Sequence, residues 1–413
     1  MREIKVTTLK NGLKIVFIKD TNIHSYYLDL FVNFGGYNQE VLINNKKVNI
    51  PKGTAHFLEH MLIEKSKYGN LLELFSEKNI NFNGITNYKR TYYYISTIHN
   101  FKENIRKLIV ALHDNNFKEK DIAIVKQPIE EEIQGKIDEN FDKLNKMTFN
   151  NLFSKLPEKN ISGSLNDIDN INYGLLELCH DIFYVPSNEI LFISGNIEID
   201  DMINFVESIY NSLSFKSIKY KLPKIEEPRK IKVKEDSFKT KTNCDYTRIS
   251  YKIDISFFKP YERVKLSYYL YYVIKDNFSS LSTLNSYLIK NNITVYDLDI
   301  SDNNYYDNYL VIEFGTYTNK KDELVQLINK QINNLEFNEE TFKINKNKTI
   351  IDLILEEERF NSFLNNFIDN ILLYDYYDYD KIENIEKFNF LEYKEMINKL
   401  DFSNYTINSF IKK

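Results

Sequence analysis

The chain changes repeatedly between strand-like and helix-like residue patterns, and this alternation restricts its fold more than any other feature. Residues 4–9 (IKVTTL) and 13–20 (LKIVFIKD) flank the turn signal KNG at residues 10–12, as in a β-hairpin. Residues 26–34 (YYLDLFVNF) alternate at period two. Between residues 53 and 79 the apolar residues instead recur three and four positions apart, which is typical of amphipathic helices. These patterns predict an α+β fold.

The second half of the chain repeats part of this order. Residues 92–112 run from a strand pattern through a short turn into an amphipathic helix, and residues 309–332 do the same. Residues 220–238 are charged, contain two prolines and show no clear periodicity. We therefore predict duplicated α+β halves, with a first domain at 1–219, a linker at 220–238 and a second domain at 239–413.

Length, charge and cysteine content narrow the class of protein. A chain of 413 residues is too long for one ordinary hydrophobic core, and its 43% hydrophobic residues argue against extended disorder. The formal net charge of −5 gives no electrostatic reason to bind nucleic acid or anionic lipid. Two cysteines cannot build a disulfide framework, which fits a reducing compartment. The N-terminal residues lack the apolar run of a signal peptide and no stretch has the apolarity of a membrane span, so we expect a soluble cytoplasmic protein.

Residues 53–66 (GTAHFLEHMLIEKS) place three titratable groups inside an apolar, helical run. His56 and His60 are four residues apart, so on a helix both imidazoles point to one side, and Glu59 borders that side. This H-x-x-E-H order is the inverted form of the zincin signature. Two imidazoles can hold a zinc ion, and the carboxylate can take a proton from the water that attacks a peptide carbonyl. An accidental pair of histidines is the alternative, although a buried Glu59 without a partner would be costly.

A catalytic zinc site needs a third protein ligand. The acidic, helical segment 124–140 (IVKQPIEEEIQGKIDEN) is its natural source in the same half of the chain. By themselves, Glu130, Glu131 and Glu132 are more typical of a solvated helix face.

The other histidines and the cysteines offer no competing site. All six histidines lie before residue 181, so the second half cannot contribute an imidazole. Cys179 and His180 are adjacent and point in different directions on a helix, so they cannot form a nucleophilic pair. We expect Cys179 in the core.

Five segments in a fixed order carry a family resemblance. GTAHFLEHML nearly matches the zinc-binding helix of the M16 metallopeptidases, the family of pitrilysin, insulin-degrading enzyme and the mitochondrial processing peptidase. LKNGLKIVF resembles that family's opening strand, FGGYNQE its Gly-Ser-x-x-Glu segment, FNGITNYKRTYYY its Asn-Ala-x-Thr strand and YVPSNEILFISGN the strand that ends the first domain. The resemblance covers nearly the whole chain. It implies two similar α/β-roll halves, each a mainly antiparallel sheet packed with helices, and a zinc-dependent endopeptidase with one zinc ion per chain.

The resemblance also assigns the third zinc ligand. The family's Glu-Glu-Ile element corresponds to Glu131-Glu132-Ile133, which makes Glu132 the ligand and Glu131 the alternative. The family usually has a supporting glutamate seven residues earlier, where this chain has Val125, so the surroundings of the site are altered. Pro128 lies one turn before Glu132, where it would kink a helix or begin one.

In this family an Arg and a Tyr from the second half reach the substrate carbonyl near the zinc ion. Residues 279–298 resemble that region, with Tyr296 as the candidate tyrosine and Ile289 or Lys290 where arginine is expected. A lysine would act only as a point charge, because it lacks the planar fork of arginine. In the two-chain bacterial branch of the family, one chain carries the zinc and its partner carries the Arg/Tyr pair. The resemblance therefore implies the zinc-bearing subunit of a heterodimer, with a homodimer as the alternative.

Asn83, Gly84 and Thr86 correspond to the sheet edge where the family adds its substrate as an extra strand inside a clam-like chamber. Main-chain hydrogen bonds at such an edge bind any extended peptide, so the implied substrates are unfolded or extended peptides. Two alternatives remain open. One is a maturation protease dedicated to a ribosomally made peptide or bacteriocin. The other is a non-catalytic subunit like the core proteins of respiratory complexes, although those typically lose the zinc residues that this chain keeps.

Overall fold

One sheet with helices packed on it organises each half of the chain. The computed structural model describes residues 2–137, 140–374 and 376–413. Two units follow from the Cα positions: a first unit of Met1–Glu139 with Leu156–Ile225, and a second unit of Asn140–Lys155 with Glu226–Lys413. The assignment of a zinc-binding domain, a linker and a zinc-free domain stays a prediction.

The elements are numbered in chain order. The strands are β1 (Glu3–Thr8), β2 (Lys14–Lys19), β3 (Tyr26–Val32), β4 (Glu40–Ile43), β5 (Lys46–Asn49), β6 (Asn81–Thr86), β7 (Thr91–Thr97), β8 (Glu189–Gly195), β9 (Tyr220–Lys221), β10 (Glu235–Thr240), β11 (Tyr246–Asp254), β12 (Asp299–Tyr306), β13 (Tyr309–Tyr317) and β14 (Tyr405–Lys412). The helices are α1 (Thr54–Glu64), α2 (Leu71–Ser76), α3 (Phe101–His113), α4 (Ile122–Ile137), α5 (Asn140–Leu152), α6 (Leu165–Asp169), α7 (Tyr173–Phe183), α8 (Ile199–Asn211), α9 (Pro260–Phe278), α10 (Thr283–Lys290), α11 (Lys321–Asn333), α12 (Glu339–Glu358), α13 (Phe360–Tyr374), α14 (Lys381–Glu386) and α15 (Phe390–Asn398).

The sheet of the first unit has the strand order β1-β2-β8-β3-β7-β6, in which β2 and β8 run parallel and the other neighbours antiparallel. The predicted hairpin at residues 10–12 joins β1 to β2. A second hairpin joins β6 to β7. Its turn is stabilised by the side-chain oxygen of Asn87, which accepts hydrogen bonds from the backbone N–H groups of Lys89 and Arg90 at 2.9 and 2.8 Å. This turn leaves β6 at the edge of the sheet.

Helix α1 is held on more than one side. Phe57, Leu58 and Met61 are fully buried in the core of the first unit. Burial of such a side chain contributes about 1.5–3 kcal/mol, so the core strongly determines how the helix is rotated about its axis. The helix also contacts β6 and α4. Its polar residues are therefore presented in a fixed direction between an edge strand and a second helix.

The sheet of the second unit has the order β10-β14-β11-β13-β12. Strands β10 and β14 are parallel, and the other neighbouring strands are antiparallel. This sequence of parallel and antiparallel pairs is the same as that of β2-β8-β3-β7-β6 in the first unit. In each unit the fourth strand of this series leads into an amphipathic helix, from β7 to α3 and from β13 to α11. The expectation of two similar halves with mainly antiparallel sheets is confirmed.

Helix α4 contains most of the acidic segment 124–140. Helix α4 continues through Pro128, so this proline neither begins nor ends it. Residues 138 and 139 lie outside the described part of the chain, and α5 follows them. In the second unit α5 packs against β14, with Asn151 donating a hydrogen bond to Asn408 at 2.7 Å.

Among the helices that the structure describes, none has both the length and the apolarity needed to cross a membrane.

Candidate metal centre

Helix α1 brings the two motif histidines together. The ring centroids of His56 and His60 are 4.7 Å apart and the rings are nearly perpendicular, as the four-residue spacing predicts. The helix begins directly after Gly53, which has a left-handed φ of 86°. A Cβ atom at Gly53 would lie 2.5 Å from the carbonyl oxygen of Ser162, so the start of α1 also requires a residue without a side chain.

Helix α4 adds a carboxylate to this pair. Glu132 Oε2 lies 3.5 Å from His56 Nε2. One ligand atom from each of His56, His60 and Glu132 lies within 4.8 Å of the other two. Glu131, the sequence-based alternative, is exposed and accepts a hydrogen bond from Gln127 at 3.0 Å. The geometry therefore favours Glu132 over Glu131.

This donor set suits zinc. Two imidazole nitrogens and one carboxylate oxygen leave an open position, as catalytic zinc sites require. With metal–ligand bonds of about 2.1 Å, ligand atoms of a tetrahedral site are about 3.4 Å apart, close to the separation of His56 and Glu132. The donor types present therefore fit the ion, and donor separations of up to 4.8 Å would shorten when it binds.

Glu59 lies beside the donors and is buried, with 5% of its surface exposed. The Thr86 hydroxyl donates a hydrogen bond to Glu59 Oε2 at 2.7 Å. Burial, together with the nearby charge of Glu132, raises the pKa of the Glu59 carboxyl by more than Thr86 and His60 lower it. Gly84 packs against the same carboxylate, because a Cβ atom there would lie 3.0 Å from Glu59 Oε1 and 2.6 Å from a methyl group of Ile63. Glu59 is held at one position by a donor on one side and a bare backbone on the other.

Two residues that sequence reasoning missed contact the proposed ligands. Glu64 Oε1 lies 3.2 Å from His60 Nδ1, and the Ser162 hydroxyl lies 3.3 Å from Glu132 Oε1. The four-residue spacing of His60 and Glu64 was a usable signal. Ser162 had no comparable signal, because it is thirty residues from Glu132 in the sequence.

The donors open into a cavity of about 390 Å³ in the first unit. Asn83, Gly84 and Thr86, the predicted substrate-binding residues, lie along it on β6. Its described lining is His56, Glu59, His60, Ile63, Glu64, Leu72, Asn83, Gly84, Ile85, Thr86, Glu132, Ile161 and Ser162. Ligand donors and an edge strand thus share one cavity.

The remaining sequence candidates are not among the lining residues of this cavity. Tyr296 belongs to the second unit, is 64% exposed and packs edge-on against Tyr317. Val125 is fully buried in the core of the first unit.

Cys179 and His180 are both buried. Burial raises the pKa of the Cys179 thiol and lowers the pKa of His180 to about 4. His180 Nε2 donates a hydrogen bond to the carbonyl oxygen of Leu112 at 2.9 Å. A protonated thiol in the core is a poor nucleophile, in keeping with the expectation that Cys179 is a core residue.

The comparisons with known proteins agree with this geometry. Residues 14–164 match the family model for insulinase, peptidase family M16, and residues 170–348 match the model for the peptidase M16 inactive domain. An uncharacterized zinc protease of Bacillus subtilis, YmfH, is 32% identical over 202 residues, which cover 48% of this chain and 47% of YmfH. Matches to the curated relatives thus span about half of their length.

Solved structures share the fold. A protease from Helicobacter pylori superposes with a TM-score of 0.81 at 19% identity, covering 99% of both chains. The periplasmic protease PqqL from Escherichia coli gives a TM-score of 0.76 at 13% identity, covering 99% of this chain and 47% of PqqL. Two adjoining family models, relatives named as zinc proteases and the shared fold lead to one conclusion: this chain belongs to the M16 peptidase family.

Proposed function

We propose that this chain is a zinc-dependent endopeptidase that cleaves unfolded or extended peptides. His56, His60 and Glu132 hold the metal and Glu59 is the general base. The observation that carries the proposal is the meeting of three donor atoms within 4.8 Å of one another, next to a buried carboxylate and on a cavity. The zinc-protease names of its relatives support the same activity.

The chemistry is divided between the metal and the chain. A bound Zn²⁺ supplies Lewis acidity, which lowers the pKa of a water molecule and polarises the scissile carbonyl. Glu59 takes the proton of the attacking water and returns it to the leaving amine. Thr86 keeps the Glu59 carboxylate turned in one direction throughout, since its hydroxyl donates to Oε2.

The edge strand β6 supplies the peptide-binding surface. A substrate that pairs with β6 lies along the backbone at Asn83, Gly84 and Thr86, beside the metal donors. Main-chain hydrogen bonds then give affinity for any extended segment, and alternate side chains fill pockets. Enclosure of the peptide in a clam-like chamber is part of this proposal. Maturation of one dedicated peptide is a narrower form of the same activity and uses the same site.

A second M16-like chain completes the site in this proposal and supplies the Arg/Tyr pair. Ile289 and Lys290 stand where this chain would need an arginine. PqqL matches this chain over 47% of its own length, so two chains of this size together approach the length of one PqqL chain. A homodimer that uses Tyr296 is the alternative arrangement, and the cytoplasmic location stays a prediction.

The decisive variant is Glu59→Gln. It keeps the volume and removes the base, so we expect zinc content by elemental analysis to stay at one ion per chain while peptide cleavage falls by at least about 100-fold. Glu131→Gln is the control, since Glu131 is exposed and outside the donor group. Undiminished cleavage by Glu59→Gln would refute the assigned base, and absence of zinc from the wild type would refute the metal.

The partner is tested separately. We expect the purified chain alone to cleave unfolded peptides weakly, and addition of its partner chain to restore full activity. Full activity of the chain as a homodimer would contradict the heterodimer. In that case Tyr296→Phe, which keeps the ring and removes the hydroxyl, tests whether this tyrosine contacts the substrate.

A further inference from the structure

We infer that Glu64 is a positioning residue for His60: its carboxylate fixes the imidazole so that Nε2, not Nδ1, is presented to the metal. This inference rests on the proposed zinc site. The inference specifies which nitrogen of His60 is the ligand and which residue supports the zinc affinity of this histidine.

The hydrogen bond that carries the inference joins His60 Nδ1 and Glu64 Oε1 at 3.2 Å. A neutral imidazole has one N–H donor and one bare nitrogen, and a carboxylate can only accept. Glu64 therefore holds the proton of His60 on Nδ1 and leaves the lone pair on Nε2 for a metal.

The place of Glu64 in the fold fits a supporting role. It is the last residue of α1, one turn after His60, and it lines the same cavity as the donors. Both side chains are largely covered, with 25% of the His60 side chain and 22% of the Glu64 side chain exposed. The donor group found among the described residues contains His60 and omits Glu64. We therefore assign Glu64 to His60 Nδ1, which it contacts, and not to the ion.

Helix α4 does not present a carboxylate to His60 from position 125. Val125, Ile129 and Ile133 on that helix are buried in the apolar core. The helix contributes Glu132 to the centre, and Ser162 contacts that carboxylate. Support for His60 comes instead from its own helix.

The competing explanation is an ordinary ion pair four residues apart that only reinforces the end of α1. Such a pair would affect helix stability and leave metal affinity unchanged. Glu103 and Lys107 form a pair of this kind on α3, away from the cavity. They provide a matched control.

The test measures zinc affinity by competition with a chelator, using the purified full-length chain. We expect Glu64→Ala to bind zinc about 10–100-fold more weakly than the wild type, as is usual for loss of such a partner. Glu64→Gln keeps an oxygen acceptor for Nδ1–H and should recover most of the affinity. Glu103→Ala should bind zinc like the wild type. Equal affinities of Glu64→Ala and the wild type would overturn the inference, whereas a wild type without zinc affinity would overturn the proposed function instead.

A second measurement needs no variant. Nitrogen-15 NMR of the histidines in the zinc-loaded wild type distinguishes a protonated Nδ1 from a metal-bound one. We expect His60 to show Nδ1–H with Nε2 on the metal. Metal coordination through Nδ1 of His60 would overturn the inference even if Glu64→Ala failed to fold.

Discussion

Five strands of the first unit's sheet have the same order and pairing as the five strands of the second unit's sheet. The helices that follow these strands nevertheless use their polar groups differently. In the first unit α1 and α4 bring His56, His60 and Glu132 to an open cavity. In the second unit α9 follows the strand equivalent to β3, and α12 follows α11 as α4 follows α3. There the Tyr272 hydroxyl lies 2.9 Å from the Thr349 hydroxyl, and both residues are buried.

In both units the fold brings two helices into contact. The side chains at that contact determine whether it is a packed core or a possible metal site. Tyrosine is large enough to close such a meeting point and satisfies its hydroxyl with one partner. The histidine and glutamate side chains of the first unit instead direct lone pairs at a common point, an arrangement that is stable when a cation accepts them. A shared fold therefore does not imply a shared function for the two halves.

The variant Glu132→Gln tests whether the helices of the first unit form a metal site, and we expect the largest effect from it. We expect zinc affinity to fall by more than about 100-fold, because loss of a supporting group alone costs about 10–100-fold. Zinc should raise the melting temperature of the wild type and no longer raise that of this variant. Glu131→Gln is the neighbouring control and should keep both properties. If Glu131→Gln lost zinc and Glu132→Gln kept it, the assignment of the third ligand would be wrong.

A second variant separates the base from the metal. Gly84→Ala places a methyl group against the Glu59 carboxylate and Ile63, so one of them must move. A displacement of about 1 Å at a catalytic group can cost about 100-fold in rate, and we expect a loss of that order in kcat with little change in zinc affinity. Gly135→Ala on α4 is the control, since no described atom other than its chain neighbours and the nearby backbone of its own helix lies within 4 Å of a Cβ atom built there. Unchanged peptide cleavage by Gly84→Ala would show that Glu59 tolerates the shift.

The second unit should respond to Tyr272→Phe with a change in stability alone. Loss of the buried hydroxyl that bonds Thr349 should lower the free energy of unfolding by about 1 kcal/mol, measured by urea titration of the metal-free chain. Zinc affinity should not change. Tyr287→Phe, at a 49% exposed position, is the matched control. A loss of zinc affinity in Tyr272→Phe would mean that the two units are energetically coupled.

A smaller effect concerns pH. His113 Nε2 and Glu189 Oε1 are 2.7 Å apart and both side chains are fully buried. Burial lowers the pKa of His113, but attraction to Glu189 and hydrogen bonds to Glu189 and Ile109 raise it more, so the net pKa lies above its ordinary value. The resulting stabilisation is fully present below the ordinary histidine pKa of about 6.5 and is lost as pH rises through the raised pKa.

The second unit contains no histidine and lacks this dependence. We expect the wild type to lose unfolding free energy as the pH rises above the ordinary histidine pKa of about 6.5, and Glu189→Gln to lose less over the same range. Glu198→Gln, at a side chain that is 78% exposed, should behave like the wild type. Identical pH profiles for Glu189→Gln and the wild type would contradict the role of this pair.

Much of this organisation could be predicted from local patterns. The hairpin at residues 10–12, the convergence of His56 with His60 and the repetition of the β7–α3 order at residues 309–332 depend on spacing along the chain, which a residue string displays directly. Proline was a weaker guide: Pro128 was expected to kink a helix or begin one, and it does not begin α4, which runs through it.

Other features depend on distances that spacing does not encode. Three consecutive glutamates differ by about 100° per residue on a helix, so the phase of α4 against α1 selects Glu132 and leaves Glu131 exposed. Ser162 contacts Glu132 because the segment around Ser162 packs against the start of α1. At that point Gly53 has no side chain and leaves room for the carbonyl group of Ser162.

The amino-acid order thus establishes which groups capable of holding a metal share one helix face, because helical periodicity is a local property. Packing selects the third donor, encloses Glu59 between Thr86 and Gly84, and places an edge strand beside them. Those outcomes depend on contacts between segments far apart in the chain. The geometry of these contacts is determined by side-chain packing in the core.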